Sequence, residues 1–392
     1  MKVAIVSPYP PSKCTLNEYG YHLVNHFRTN PTTSEVILIA DQLPAGQSYE
    51  FAAEGSPIKV LPVWQFNSLL NLWYILKALR QTRPDVVLFN IQFLSFGDKK
   101  IPAAMGLLTP WLAKLMGIPS VVLLHNIMEE VDLKTAGITQ NPVLGAIFRA
   151  IGTMLTRIVL QADLVAVTIA KYVEVLEKKY QVNNVALVPH GSFELPPMPS
   201  FELPEGPKRV MTFGKFGTYK KVEVMIEAVE MVRQRSRVPL EIVIAGTDSP
   251  NRKGYLAEVQ QQYAHVPNVT FTGYVPEEYV PTVFNESAVV VFPYTSTTGS
   301  SGVLHQAGSY GKAVILPNIG DLGQLIQEEG YAGELFEPEN VESLANAIQR
   351  VVEDDTHRRE LSIKNYFAAV SLPMADIVDW YYLHFGRLTN AA

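Results

Sequence analysis

Arg209-Val-Met-Thr-Phe213 runs into Gly214-Lys215-Phe216-Gly217-Thr218-Tyr219-Lys220-Lys221, and further on Ala288-Val-Val-Val-Phe-Pro293 runs into Thr297-Thr298-Gly299-Ser300-Ser301-Gly302. Each is a β-type apolar run that empties into a loop of small or cationic residues, and the second loop opens a helical pattern. The first loop offers Lys215 and Lys220 at the carboxyl end of a strand. The second offers backbone N–H groups at a helix N-terminus, where the dipole favours an anion. Ligands of open parallel sheets sit beyond the carboxyl ends of the strands. One cationic loop and one backbone nest on the same sheet point to a diphosphate, and so to a nucleotide-linked substrate.

Outward from this stretch the chain alternates strands with helices. The first half reads as strands at Val3–Tyr9, Glu35–Asp41, Lys59–Trp64, Asp85–Ile91, Ser120–Ile127, Leu164–Ile169 and Val185–His190. The second half reads as strands at Arg209–Phe216, Leu240–Thr247, Asn268–Val275, Ala288–Thr295, Ala313–Asn318 and Ala332–Phe336. Continuous β-branched runs of this kind belong to parallel sheets covered on both faces. A length of 392 residues suits two domains. Ser192–Pro207, rich in proline, reads as a stiff extended linker between them. The expected domains are 1–195, with 366–392 packing back on it, and 205–365. The tail carries Ile377, Trp380, Tyr381, Leu383 and Phe385 on a face that requires burial.

Lys plus Arg at 32 against Asp plus Glu at 38 gives a net charge of −6, which argues against a nucleic-acid partner. A single cysteine, Cys14, leaves no intramolecular disulfide and fits a reducing cytoplasm. Met1-Lys2 leads directly into a buried-strand pattern, the reading of a chain without a signal peptide. Ile101–Leu124 is broken by prolines, and Leu144–Val167 by Arg149, Arg157 and Asp163. Each therefore reads as a helix followed by a strand in a soluble protein, with peripheral contact at the inner face of a plasma membrane left open.

These residues together resemble the retaining GT-B-fold glycosyltransferases that use nucleotide sugars, the family 4 group. The first half contributes Ser7-Pro8-Tyr9-Pro10-Pro11, His125-Asn126 and Val188-Pro189-His190-Gly191. The second half contributes Gly214-Lys215-Phe216 with Lys220, Ile244-Ala245-Gly246, Phe271-Thr272-Gly273-Tyr274-Val275 and the 299–307 segment. The resemblance implies two Rossmann-like β/α/β domains facing across a cleft, with a C-terminal helix crossing back to the first. It implies transfer of a hexose, glucose by family preference, from a UDP-sugar to a glycan or lipid-linked acceptor in surface or envelope polysaccharide assembly.

By the same resemblance Lys215 and Lys220 stabilise the departing phosphate, and His125 lies near the sugar C6 hydroxyl and the reacting centre. Gly302 and Val303 N–H groups face the distal phosphate, and Gly299, Ser300 and Ser301 face the sugar. Gly246, Gly273, Tyr274 and Val275 border the base. Other readings stand beside these: surface lysines, a structural histidine, and an N-cap at Ser300 or Ser301. His305, inside the helix, reads as a packing residue. Loops Phe93–Lys100 and Ile127–Thr139 are the candidates for setting the acceptor.

The chain departs from the family in two places. Where the family often has two glutamates, it has Thr298 and Gln306; the amide can still hydrogen-bond ribose, while Thr298 supplies no carboxylate. A front-face mechanism, in which the leaving phosphate takes the acceptor proton, is less affected. Where the family commonly has paired glycines near the diphosphate, this chain has Cys14-Thr15. No Asp-x-Asp follows a strand, so no metal or other cofactor is expected, the lysines taking a cation's place. No P-loop or dinucleotide glycine motif occurs either. A nucleotide-sugar 2-epimerase and a non-catalytic nucleotide- or glycan-binding protein of the same fold are the alternatives.

Overall fold

The computed structural model describes residues 1–130, 141–193, 195–249, 252–296 and 300–390. The chain divides into two compact units, Met1–Phe193 with Met374–Ala392, and Glu194–Pro373. The first holds strands β1 (Lys2–Val6), β2 (Glu35–Asp41), β3 (Ile58–Trp64), β4 (Val86–Ile91), β5 (Ser120–Leu124), β6 (Leu164–Val167) and β7 (Val185–Leu187). Its helices are α1 (Asn17–Thr29), α2 (Asn71–Thr82), α3 (Lys100–Leu107), α4 (Thr109–Leu115), α5 (Pro142–Val159) and α6 (Ala170–Tyr180). The second unit holds β8 (Lys208–Phe216), β9 (Leu240–Asp248), β10 (Val269–Gly273), β11 (Val289–Val291), β12 (Ala313–Pro317) and β13 (Gly333–Phe336). Helices α7 (Glu223–Arg235), α8 (Tyr255–Gln262), α9 (Val280–Asn285), α10 (Gly302–Ser309), α11 (Gly320–Glu329), α12 (Val341–Glu353) and α13 (Asp355–Val370) surround it; α14 (Met374–Asn390) returns to the first unit.

Both sheets are parallel, with orders β3-β2-β1-β4-β5-β6-β7 and β10-β9-β8-β11-β12-β13. Each has the doubly wound order, whose strand sequence reverses between β1 and β4 and between β8 and β11. A crevice at such a reversal is where ligands of this architecture bind. The central strands read as uninterrupted apolar runs because both faces are covered; β4 and β5 are buried at every residue.

Several expected boundaries move, for local reasons. β1 stops at Val6, ahead of the prolines at 8, 10 and 11, which lack the N–H a ladder needs. β10 stops at Gly273, whose φ is +66°. β11 ends at Val291 instead of Thr295, because the residues after Pro293 turn to bond another loop. Ile101–Leu124 holds two helices and a strand, not one helix and a strand. The acidic run at 353–355 is a helix junction: the Asp354 carboxylate accepts from His357 N and caps α13, and Asp355 pairs with Lys208.

The proline-rich segment is not a free spacer. Arg358 Nη2 donates to Phe201 O at 3.0 Å, Tyr366 Oη donates to Pro196 O at 3.2 Å, and Phe201 packs over Gly311. Residues 366–373, expected on the first domain, accordingly belong to the second unit, and the crossing begins at Met374. From there α14 buries Tyr381 and Phe385 against Phe27 of α1, the two phenylalanine rings stacking with centroids 6.0 Å apart. Asn30 donates to Asp379 and Met374 N donates to Ser192 O, fixing the helix at its edge and its start.

Candidate active site

Strands β8 and β9 pair through Gly214 and Gly246. A Cβ at Gly246 would fall 1.9 Å from Gly214 O, and the residue's φ is +137°, so only glycine fits. A Cβ at Gly214 would meet Lys220 Nζ at 2.6 Å, which places the Lys220 ammonium against the Gly214 backbone. Lys220 is 7% exposed, with Nζ 4.7 Å from the Tyr294 ring centroid. Its position is set by main chain. Gly217 N donates to Lys220 O, Lys221 N donates to Pro293 O, Thr295 N donates to Tyr219 O, and Lys220 bridges Tyr294. The loops after β8 and β11 are thereby joined at the strand-order reversal. Lys215 differs: it is still in β8, in register with Thr247, and exposed.

Past β11, Thr298 and Gly299 lie outside the described residues. Ser301 is the first flanking residue of α10 but makes no side-chain cap. The Ser300 hydroxyl lies 2.9 Å from His305 Nε2, and His305 Nδ1 lies 2.9 Å from Tyr331 Oη. Neither serine therefore caps the helix through its side chain, which corrects that reading. The N–H groups of Gly302 and Val303 have no partner among the described residues and stand at the positive end of the helix dipole. Gln306 is half-buried on the same helix.

His305 is more than packing. It is buried between Ser300 and Tyr331, with Nε2 3.7 Å from Oε2 of the buried Glu329, beyond hydrogen-bond reach. Burial and the neighbouring Glu328 push the Glu329 carboxyl up to about 8. The sequence shows an apolar helical surrounding for His305 and nothing of this network, since its partners lie at the end of another helix and just beyond it.

At the β9 and β10 ends, Gly246 N donates to Thr272 Oγ1 at 3.2 Å and that hydroxyl donates to Gly273 O at 2.8 Å. Tyr274 is 77% exposed and Val275 half-buried, leaving backbone and an aromatic face accessible.

In the first unit, three strand ends build one polar chain. The Ser7 hydroxyl donates to Pro8 O, so it accepts from Asn90 Nδ2 at 2.9 Å, and Asn90 Oδ1 is left to face His125 Nε2 at 2.6 Å. His125 therefore carries its proton on Nε2 and presents Nδ1 as an acceptor. Burial, with His190 second, holds His125 down at about 3, a neutral imidazole at pH 7. The Tyr19 ring stands edge-on to both His125 and His190, and its hydroxyl donates to His190 O at 3.0 Å. The loop at Cys14 is organised by an acid. Ser12 Oγ donates to Asp41 Oδ2 at 2.5 Å, Cys14 Sγ lies 3.6 Å from the same oxygen, and Cys14 N donates to Ser12 Oγ. The Cys14 N–H is thus engaged internally, and Thr15 is exposed.

Residues 207–354 match the family model described as Glycosyl transferases group 1. A relative, the alpha-D-kanosaminyltransferase of Streptomyces kanamyceticus, is 29% identical over 167 residues, 42% of this chain and 41% of that protein. The structure is similar to sucrose-phosphate synthase from Thermosynechococcus elongatus (TM-score 0.76, 17% identity, 100% of both chains). It is also similar to Anabaena HepE in complex with UDP-glucose (TM-score 0.67, 14% identity, 100% of both chains). The second unit is thus a glycosyl transferases group 1 domain, and the fold of the chain is GT-B, that of glycosyltransferases.

Proposed function

We propose that the protein is a retaining, metal-independent glycosyltransferase that moves a hexose, glucose in the first instance, from a UDP-sugar to a glycan or lipid-linked acceptor in the cytoplasm, for surface or envelope polysaccharide. The observation that carries this is Lys220, a nearly buried ammonium seated over Gly214 where the loops after β8 and β11 join. As the sugar–phosphate bond breaks, charge builds on the leaving diphosphate. A preorganised cation and the Gly302 and Val303 N–H groups stabilise that charge most at the moment it develops. Lys215 adds a second cation from the solvent side. Gln306 takes the ribose hydroxyls, Ser300 and Ser301 the sugar, and the backbone at Gly246, Gly273, Tyr274 and Val275 the base. In the first unit, the neutral His125 offers Nδ1 to a sugar hydroxyl. The leaving phosphate itself accepts the proton of the incoming hydroxyl, so no protein carboxylate is required at position 298 or 306.

UDP release from UDP-glucose, measured with and without EDTA against a panel of glycan and lipid-linked acceptors, tests the reading. Release in EDTA with label transferred to an acceptor supports it. Binding of UDP-glucose with no turnover across the panel supports a non-catalytic binding protein instead, and epimer formation an epimerase.

A further inference from the structure

Helix α5 is amphipathic the wrong way round. Its buried residues are Gly145, Gly152, Thr156 and Val159, and at Gly152 an added Cβ would already touch Met128 at 3.2 Å. Five of its large aliphatics, Val143, Leu144, Ile147, Ile151 and Met154, are exposed and follow the three- and four-residue spacing of one stripe, while Leu155 and Ile158 are half-buried. By length and composition α5 could cross a membrane, yet only 22% of it is buried in the fold. Helices α3 and α4 pack beside it, α2 packs against those two, and the three add exposed apolar groups: Trp73, 68% exposed, Ile101 and Leu115. An exposed aliphatic stripe of this kind on a folded domain marks an interaction surface.

Charge identifies the partner. The protein has a net charge of −6, but α2, α3, α4 and α5 contain Lys77, Arg80, Lys100, Lys114, Arg149 and Arg157 and no acidic residue. All six are exposed. Basic side chains around an aliphatic stripe are the chemistry of a helix lying in the headgroup region of an anionic bilayer. We infer that the α2–α5 face of the first unit docks on an anionic lipid surface, with the α5 stripe entering the interface and exposed cations of α2, α3 and α5 meeting the headgroups, Lys114 of α4 being paired with Asp163. The packed glycine face and the two arginines of α5 keep it lying in the interface. This surface is argued from exposure and charge alone and does not depend on the glycosyltransferase reading.

The test is flotation of the full chain with phosphatidylcholine vesicles, with and without phosphatidylglycerol. The chain is expected to float with anionic vesicles, to be released by high salt, and to stay behind with neutral ones. Ile147→Glu with Ile151→Glu should abolish flotation, and each of Lys100→Gln and Arg149→Gln should weaken it by roughly fivefold. The melting temperature of each variant must match that of the parent, since these side chains face solvent. No flotation with anionic vesicles, equal flotation with neutral ones, or unchanged flotation of the glutamate variant would overturn the inference. So would a dimer in light scattering that the glutamate variant dissociates, because the stripe would then belong to a second copy of this chain.

Discussion

Replacing Lys220 is the sharpest perturbation of the proposed donor site. The side chain is nearly buried, its ammonium sits over Gly214, and its loop is held by main-chain bonds that any residue can make. Lys220→Met keeps the stem and deletes the charge, so the turn and the contact with Tyr294 should survive. A cation about 4 Å from a phosphate oxygen contributes about 4 kcal/mol at the effective dielectric of such a site. Part of that is present when the donor binds, and only the increment gained as the bond breaks accelerates the chemical step. An increment of about 2.7 kcal/mol corresponds to a loss of about 100-fold in turnover. Steady-state UDP release by the variant, alongside its melting curve, measures both terms. Lys215, exposed in β8, should follow with a smaller loss as Lys215→Ala and retain activity as Lys215→Arg. Turnover of Lys220→Met within a few-fold of the parent, in a protein that melts normally, would refute the assignment of its charge to the leaving group.

Turnover should persist in excess EDTA; complete loss restored by Mg²⁺ or Mn²⁺ would show that the two lysines and the α10 N-terminus do not suffice. Gln306→Glu should preserve or tighten UDP binding, by about 1 kcal/mol at most, and Gln306→Leu should weaken it, read by melting with and without UDP. Lower apo stability of the glutamate variant with unchanged UDP affinity would place Gln306 in the domain interior instead. Glu329 has a folded pKa raised to about 8, above its unfolded value, so its stabilising contribution is complete below the unfolded pKa and is lost as pH rises towards 8. Glu329→Gln should therefore flatten the decline of melting temperature between pH 5 and pH 8; an unchanged decline would mean the carboxyl ionises normally.

The strands were legible because parallel sheets buried on both faces leave continuous β-branched runs, and all the expected strands are present, most with shifted ends and Glu35–Asp41 with the bounds expected. The ends shift where proline lacks an N–H, as after Val6, or where backbone turns at a positive φ, as at Gly273. Gly214 and Gly246 were legible through the family resemblance; that a Cβ at Gly246 would strike Gly214 O was not. What was not legible depends on contacts across long separations. The tail's amphipathic face announced burial but not that Phe27 of α1 would receive it. Asn90, which orients His125, was hidden in a strand whose pattern reads only as core. The inverted face of α5 was hidden too, because composition counts its aliphatics without saying which of them the fold covers.

The same long-range contacts bear on the missing acidic pair. With Thr298 and Gln306 in place of two glutamates, the α10 end of the proposed pocket carries two fewer negative charges. The carboxylate the chain does place near this helix, Glu329, is buried and held protonated to about pH 8. At pH 7 the charges facing a diphosphate would then be Lys215, Lys220 and the α10 dipole, with uncharged groups at Gln306 and Ser300. The positioning that a carboxylate could give Ser300 is supplied by a hydrogen-bonded chain from Ser300 through His305 to Tyr331. Such a chain orients donors without a carboxylate whose charge would repel the departing phosphate. On this reasoning the departures at 298 and 306 and the unexpected network at 305, 329 and 331 are one adjustment: a donor pocket whose order comes from hydrogen bonds and whose charge comes from Lys215, Lys220 and the helix end.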